Sequence, residues 1–170
     1  MSRQSYAKRL IILAGENLGL ITLDNAKQQG IPSVAVHKLA ARGEIERVGK
    51  GVYRSYLFPI TEASAALEAV LAVDSGAILE GESVLSLLEI GDFNPKKYRV
   101  RTTTRIQRNL PGNVRAIVGP VEAVEKIAGV PCQPIRLALK EAAKSATRDQ
   151  IAEAIKQMSS RGINVGADIL

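Results

Sequence analysis

Apolar residues in the first third of the chain recur with a helical period that gives way to a strand period. In SYAKRLIILAG, Tyr6, Leu10, Leu13 and Ala14 form a helical stripe with Lys8 and Arg9 off it, predicting a first helix over residues 5–15. Leu18, Leu20 and Ile21 make a short extended link that can pair with later strands. In LDNAKQQ, Leu23 and Ala26 share a face, Thr22 stands where an N-cap belongs, and Gly30 follows where a left-handed C-cap is needed. Ile31 continues the apolar face, Pro32 disfavours helix in its predecessor, and Ser33 is free to cap a further helix over about Val34–Ala41. There Val36, Leu39 and Ala40 can pack inward while Ser33, Val34, His37, Lys38 and Ala41 face out. Arg42-Gly43 ends it. Glu44 to Val48 then alternates polar and apolar, Gly49-Lys50-Gly51 turns, and Val52, Tyr53 and Arg54 return.

Two short helices joined by a turn of three or four residues and followed by a basic hairpin describe a winged helix-turn-helix. The outer face of the second of these helices is polar, small and cationic, as suits a helix lying in a major groove. The candidate DNA-binding residues are Ser33, Val34, His37, Lys38 and Arg42 on or just beyond that helix, with Arg47, Lys50 and Arg54 on the wing. An ordinary surface helix with a solvated lysine is the alternative for the helix alone. Gly49-Lys50-Gly51 lacks the GxxxxGK spacing and the following Ser or Thr of a phosphate-cradling loop.

Tyr56 to Ile60 is an apolar connector that Pro59 keeps from being helical, and the domain boundary is placed there: 1–58 and 59–170. Its large apolar residues argue for packing against a domain rather than for a floppy tether. Beyond it a helix runs from Thr61 to about Asp74 with Ala63, Leu67, Val70 and Leu71 inward, Ala77 to Leu79 is a short buried segment, and Ser83 to Leu88 a brief helix. Tyr98 to Thr104 alternates as a strand, with Val114 to Val118 as its partner through the turn-forming Asn109 to Asn113. Val121 to Val130 fits either a helical stripe or a strand pair. Ile135 to Ala143 is a helix, and the last begins at Thr147 with Gln150 as its capping-box partner and carries Ile151, Ile155 and Met158 on one side. Asn164 to Leu170 is read as a tail. The fold class is therefore α+β: an N-terminal winged helix-turn-helix followed by a small mixed α/β domain.

Thr22, Ala26, Gly30-Ile31, Ser33, Leu39, the run Arg42 to Val48, and Gly51-Val52-Tyr53 closely resemble the N-terminal domain of AbiEi-type antitoxins, the abortive-infection antitoxins of type IV toxin-antitoxin systems. The stretch ending in IERVGKGVY is the most specific part. Gly81 to Leu88, Tyr98-Arg99-Val100, Gly129-Val130-Pro131 and Pro134 to Leu139 resemble the family's second domain. This chain reads Arg136-Leu137 where the family commonly has an arginine-threonine pair. The nuclease-like domain of some relatives is not expected. The resemblance implies strands around Val121 to Val130, binding to inverted repeats in the operon's own promoter, and antagonism of a nucleotidyltransferase-like toxin.

Charge sharpens this picture. The net +6 is uneven: residues 1–60 hold nine Lys and Arg against four acids, and residues 61–170 hold fourteen against thirteen. An excess on the reader attracts polyanions and makes binding salt-dependent. Lys96, Lys97, Arg99, Arg101, Arg105 and Arg108 form an acid-free run, read either as a second basic surface for phosphates or RNA, or as a solvated sheet face.

Chemistry is sparse. One cysteine, Cys132, excludes an internal disulfide, and with a single histidine a zinc site is not expected. His37 shows no orienting partner for general-base work. Glu80, Glu82, Glu89 and Asp92 lack the spacing of a metal-dependent nucleotidyltransferase and read as a solvated loop face. No catalytic residue, metal or cofactor is assigned, and the chain is read as non-enzymatic. With neither leader nor membrane span in the pattern, a cytoplasmic protein is expected. The partners expected are double-stranded operator DNA and the cognate toxin. No heptad seam marks a dimer, so monomers are expected to pair on the operator. The alternative is an interaction module that neutralises its toxin by direct binding, with the winged helix as scaffold.

Overall fold

The computed structural model describes residues 5–166, so the start of the chain and the last four residues of the tail read from the sequence lie outside the described residues. Two compact units divide the chain, one up to Ala72 and one from Val73. The helix that spans residues 62–73 thus falls largely with the first unit, whereas the sequence reading set the boundary at 58.

In the first unit, α1 (Tyr6–Glu16) is N-capped by Ser5, whose hydroxyl accepts from the Lys8 amide at 3.3 Å, and buries Leu10, Leu13 and Ala14. β1 (Leu20–Thr22) leads into α2 (Leu23–Gln28), where the Thr22 hydroxyl accepts from the Asn25 amide at 3.0 Å. Then come α3 (Ser33–Ala41), β2 (Ile45–Gly49) and β3 (Val52–Ser55). The strands form an antiparallel sheet in the order β1-β3-β2, as the extended link at Leu20 and Ile21 led one to expect. One core gathers Leu10, Leu13, Ile21, Ala26, Ile31, Val36, Leu39, Ile45 and Tyr53 from all three helices, the turn and the sheet. Burying side chains of this kind is worth about 1.5–3 kcal/mol each.

The connector is tied down by one residue. Phe58 packs against that core while Tyr56, Leu57 and Ile60 stay exposed. Its Cβ would lie 2.9 Å from a Cβ placed on Gly19, whose φ of +85° also suits glycine. α4 (Glu62–Val73) follows, with Leu67 and Val70 buried, and with Ala66 and Ala69 where the sequence pointed to Ala63 and Leu71.

The second unit holds β4 (Ile78–Leu79), α5 (Glu82–Leu87), β5 (Tyr98–Thr102), β6 (Val114–Val118), β7 (Glu125–Ile127), β8 (Val130–Cys132), α6 (Ile135–Ala142) and α7 (Arg148–Ser160). Its five strands run in the order β6-β5-β4-β8-β7. β6 does pair with β5, but in parallel, with Tyr98 beside Val114 and Thr102 beside Val118. Residues 103–113 are therefore a crossover rather than a hairpin turn. The ambiguous segment resolves as a hairpin, β7 to β8, through Ala128 and Gly129 at φ +49° and +85°. Helices α5, α6 and α7 share a core of Leu85, Leu139, Ile151, Ala154 and Met158. The capping box of α7 forms as read, with Thr147 and Gln150 satisfying each other's backbone amides.

Candidate nucleic-acid interface

α2 and α3 are joined by residues 29–32. The Gly30 and Ile31 amides fold back onto the carbonyls of Lys27 at 2.9 Å and Ala26 at 2.8 Å, which closes α2 and brings buried Ile31 under both helices. Ser33 does not cap α3. Pro32 holds the cap position in extended backbone and its carbonyl accepts the first helical bond from Ala35, so Ser33 is already helical and its side chain faces out. Val36 and Leu39 are buried and Ala40 half-buried, as the stripe required. The opposite face presents Ser33, Val34, His37, Lys38 and Ala41, all exposed.

The wing stands beside this face. The His37 ring lies 6.3 Å from the ring of buried Tyr53 on β3, tilted by 49°. Arg47 on β2 is the cross-strand neighbour of Tyr53, so its side chain leaves the sheet on the same side. Its Nε donates to the Gly49 carbonyl at 3.2 Å across a bulge, which holds the guanidinium along the hairpin while it remains exposed. Lys50 is exposed in the two-residue turn that Gly51 closes at φ +69°. The Gly51 carbonyl accepts from the Leu23 amide at 2.9 Å, fixing the tip against the start of α2. Arg42, just past α3, approaches Glu44 only to 3.9 Å with both side chains well exposed, a pairing that water screens.

Arg54 is in a different position. It alternates with Tyr53 and so leaves the sheet on the other face, where its guanidinium meets the Glu68 carboxylate of α4, the two side chains being 17% and 30% exposed. Among the candidate phosphate contacts of the wing, Arg54 thus differs from Arg47 and Lys50 in having its charge matched within the unit. Strand parity, legible once Tyr53 is assigned to the core, was the available signal.

The basic run of the second unit is also reordered. Glu80 has no exposed surface, contrary to its reading as a solvated loop residue. Its carboxylate accepts from Arg99 Nη2 at 3.0 Å and from Arg101 Nε, and Arg99 also reaches Glu141 at 3.4 Å. Arg108 donates to the Val73 carbonyl. Lys96, Lys97 and Arg105 remain exposed. Of the other acids in that cluster, Glu89 and Asp92 are exposed and Glu82 is half-buried. A cleft of about 290 Å³ in the second unit is lined by Arg101, Gln133, Leu137, Lys140, Glu141 and Lys144, among others.

Hydrogen bonding from Lys144, Nζ to Oε2 at 2.5 Å, holds the Glu141 carboxyl below the usual carboxylate range against the opposing effect of burial. Cys132 is buried in β8, and that burial pushes its thiol up to about 12, leaving it little nucleophilic character near neutrality. Among the described residues no group of three or more His, Cys, Asp or Glu could hold a metal ion, and no helix is long and apolar enough to cross a membrane.

A helix-turn-helix whose second helix is exposed along one side, backed by a three-stranded sheet and flanked by a cationic hairpin, has the form of a winged helix-turn-helix. Residues 8–56 match the family described as "Transcriptional regulator, AbiEi antitoxin", a stretch that runs from α1 through the whole wing. The match agrees with the likeness carried by Thr22 to Tyr53, and the family is one of regulators rather than of enzymes. No curated protein matches the chain.

Proposed function

We propose that the protein is a DNA-binding antitoxin that represses its own operon by binding inverted repeats in the promoter, and that it antagonises a nucleotidyltransferase-like toxin. The observation that carries this is the exposed stripe Ser33, Val34, His37 and Lys38 on α3, set beside Arg47 through the His37–Tyr53 contact. α3 enters the major groove, His37 and Lys38 meet base edges, and Arg42, Arg47 and Lys50 hold phosphates. One copy covers one half-site, and two monomers pair on the operator. The protein works in the cytoplasm and needs neither metal nor cofactor.

Binding to a labelled fragment from upstream of its own gene, measured across a range of salt concentrations, tests this. Arg47→Ala and Lys50→Ala should weaken binding to all sequences alike and each reduce the log–log salt slope by about 0.9. Lys38→Ala should instead relax preference at one or two base positions by roughly 1–3 kcal/mol. A fragment bound no better than random DNA would refute the repressor.

Direct capture of the toxin is the second reading, and the exposed Tyr56, Leu57 and Ile60 at 62%, 67% and 65% favour it. Co-purification of the neighbouring gene product, lost when Leu57 and Ile60 become serine, would support capture.

A further inference from the structure

We propose that Val34 reads the C5-methyl group of a thymine, so that each half-site contains a thymine close to the base pair contacted by Lys38. This rests on the major-groove reading of α3 and specifies what that helix selects. Val34 is 58% exposed and is the only large apolar side chain among the exposed residues of α3. It takes no part in the core that Val36 and Leu39 of the same helix join.

Its position favours contact with bases. Val34 is the second residue of α3, and recognition helices meet base edges with their N-terminal residues. In the major groove the thymine methyl is the one apolar group that a base pair displays, and aliphatic side chains are its usual partners. A β-branched residue suits the task, because its methyls are already held by a stiff χ1.

Geometry sets the neighbour. Lys38 lies four residues on, one turn along the same column, and hence about 6 Å up the helix axis. At about 3.4 Å per base-pair step that separation spans roughly two steps. Lys38 prefers the O6 and N7 acceptors of guanine. The half-site therefore carries a thymine one or two steps from a guanine.

The test uses the full-length chain and a duplex that it enriches from a random-sequence pool. Each thymine of that duplex is replaced in turn by deoxyuridine, which deletes one methyl and nothing else. One thymine per half-site should respond with an affinity loss of about fourfold, the factor that burying one such carbon is worth. Val34→Ala, whose fold circular dichroism checks, should bind the thymine and uracil duplexes equally, while Lys38→Ala should keep the difference. If every substitution by uracil is tolerated while binding stays sequence-specific, Val34 is not a base reader, although the winged helix remains one. If the uracil penalty persists in Val34→Ala, another residue reads the methyl and the assignment to Val34 is overturned. If no duplex is enriched, the DNA-binding reading itself fails and this inference falls with it.

Discussion

A carboxylate with no exposed surface would be strongly disfavoured unless its charge were answered at close range. Glu80 is answered twice. It follows β4, its backbone amide bonds to the Arg99 carbonyl at 3.0 Å, and Arg99 and Arg101 stand two apart on one face of β5, so both guanidiniums converge on it. Removing the acid leaves two part-buried cations facing each other. Glu80→Ala should therefore lower the unfolding free energy by about 3–5 kcal/mol, read from urea titrations, and Glu80→Gln should cost less because it can still accept one hydrogen bond. A loss in Glu80→Ala below about 1 kcal/mol, the range of surface pairs, would show the network to be solvated after all. In the sequence Glu80 looked like one of four acids on a loop, because nothing local tells a carboxylate that its counterions arrive nineteen and twenty-one residues later. Glu89 and Asp92, for which no such ion pair is found among the described residues, are exposed as read.

At the level of elements, what could be read was what depends on neighbours three or four residues away. The stripes of α3 and α7 and the caps at Thr22 and Thr147 appear where the pattern put them, and so does that of α1 except at Tyr6, which is 42% exposed. What could not be read was pairing sense. Asn109 to Asn113 has turn chemistry, yet the chain runs on far enough for β6 to align in parallel with β5, a choice made by the whole sheet. The wing lies between these cases, since its strands are legible in the alternation, whereas the side on which each arginine leaves the sheet depends on which of its residues enter the core. Arg47 shares a face with Tyr53 and faces solvent, whereas Arg54 shares a face with Glu46 and reaches Glu68. The two arginines should thus respond differently to truncation. Arg54→Ala should reduce stability by roughly 2 kcal/mol, between the surface and buried cases, and leave the salt slope of DNA binding unchanged. A slope that fell by about 0.9 would return Arg54 to the phosphates.

Over the whole chain, the two halves use their charges differently. Residues 1–60 keep an excess of cations, and Lys38, Arg42, Arg47 and Lys50 remain exposed. The second half is nearly balanced, and Arg99, Arg101 and Lys144 are matched by Glu80 and Glu141 within the fold. Composition revealed the difference in totals but not its meaning, because pairing depends on strand order. One consequence concerns acid. The Lys144 hydrogen bond, aided by the fields of Lys144, Arg101 and Arg99, lowers the Glu141 pKa in the folded state. A carboxyl with a lowered folded pKa contributes stability that is fully present above its unfolded value and is lost as pH falls through the folded one. Urea midpoints followed by circular dichroism from neutral pH downward should therefore decline on the acid side. In Glu141→Gln the midpoint should start lower at neutral pH and then fall less steeply below the usual carboxylate range, because this proton uptake is gone. Equal acid slopes in the two proteins would mean that Glu141 is no more acidic folded than unfolded, and that Lys144 lies beside it without holding its charge.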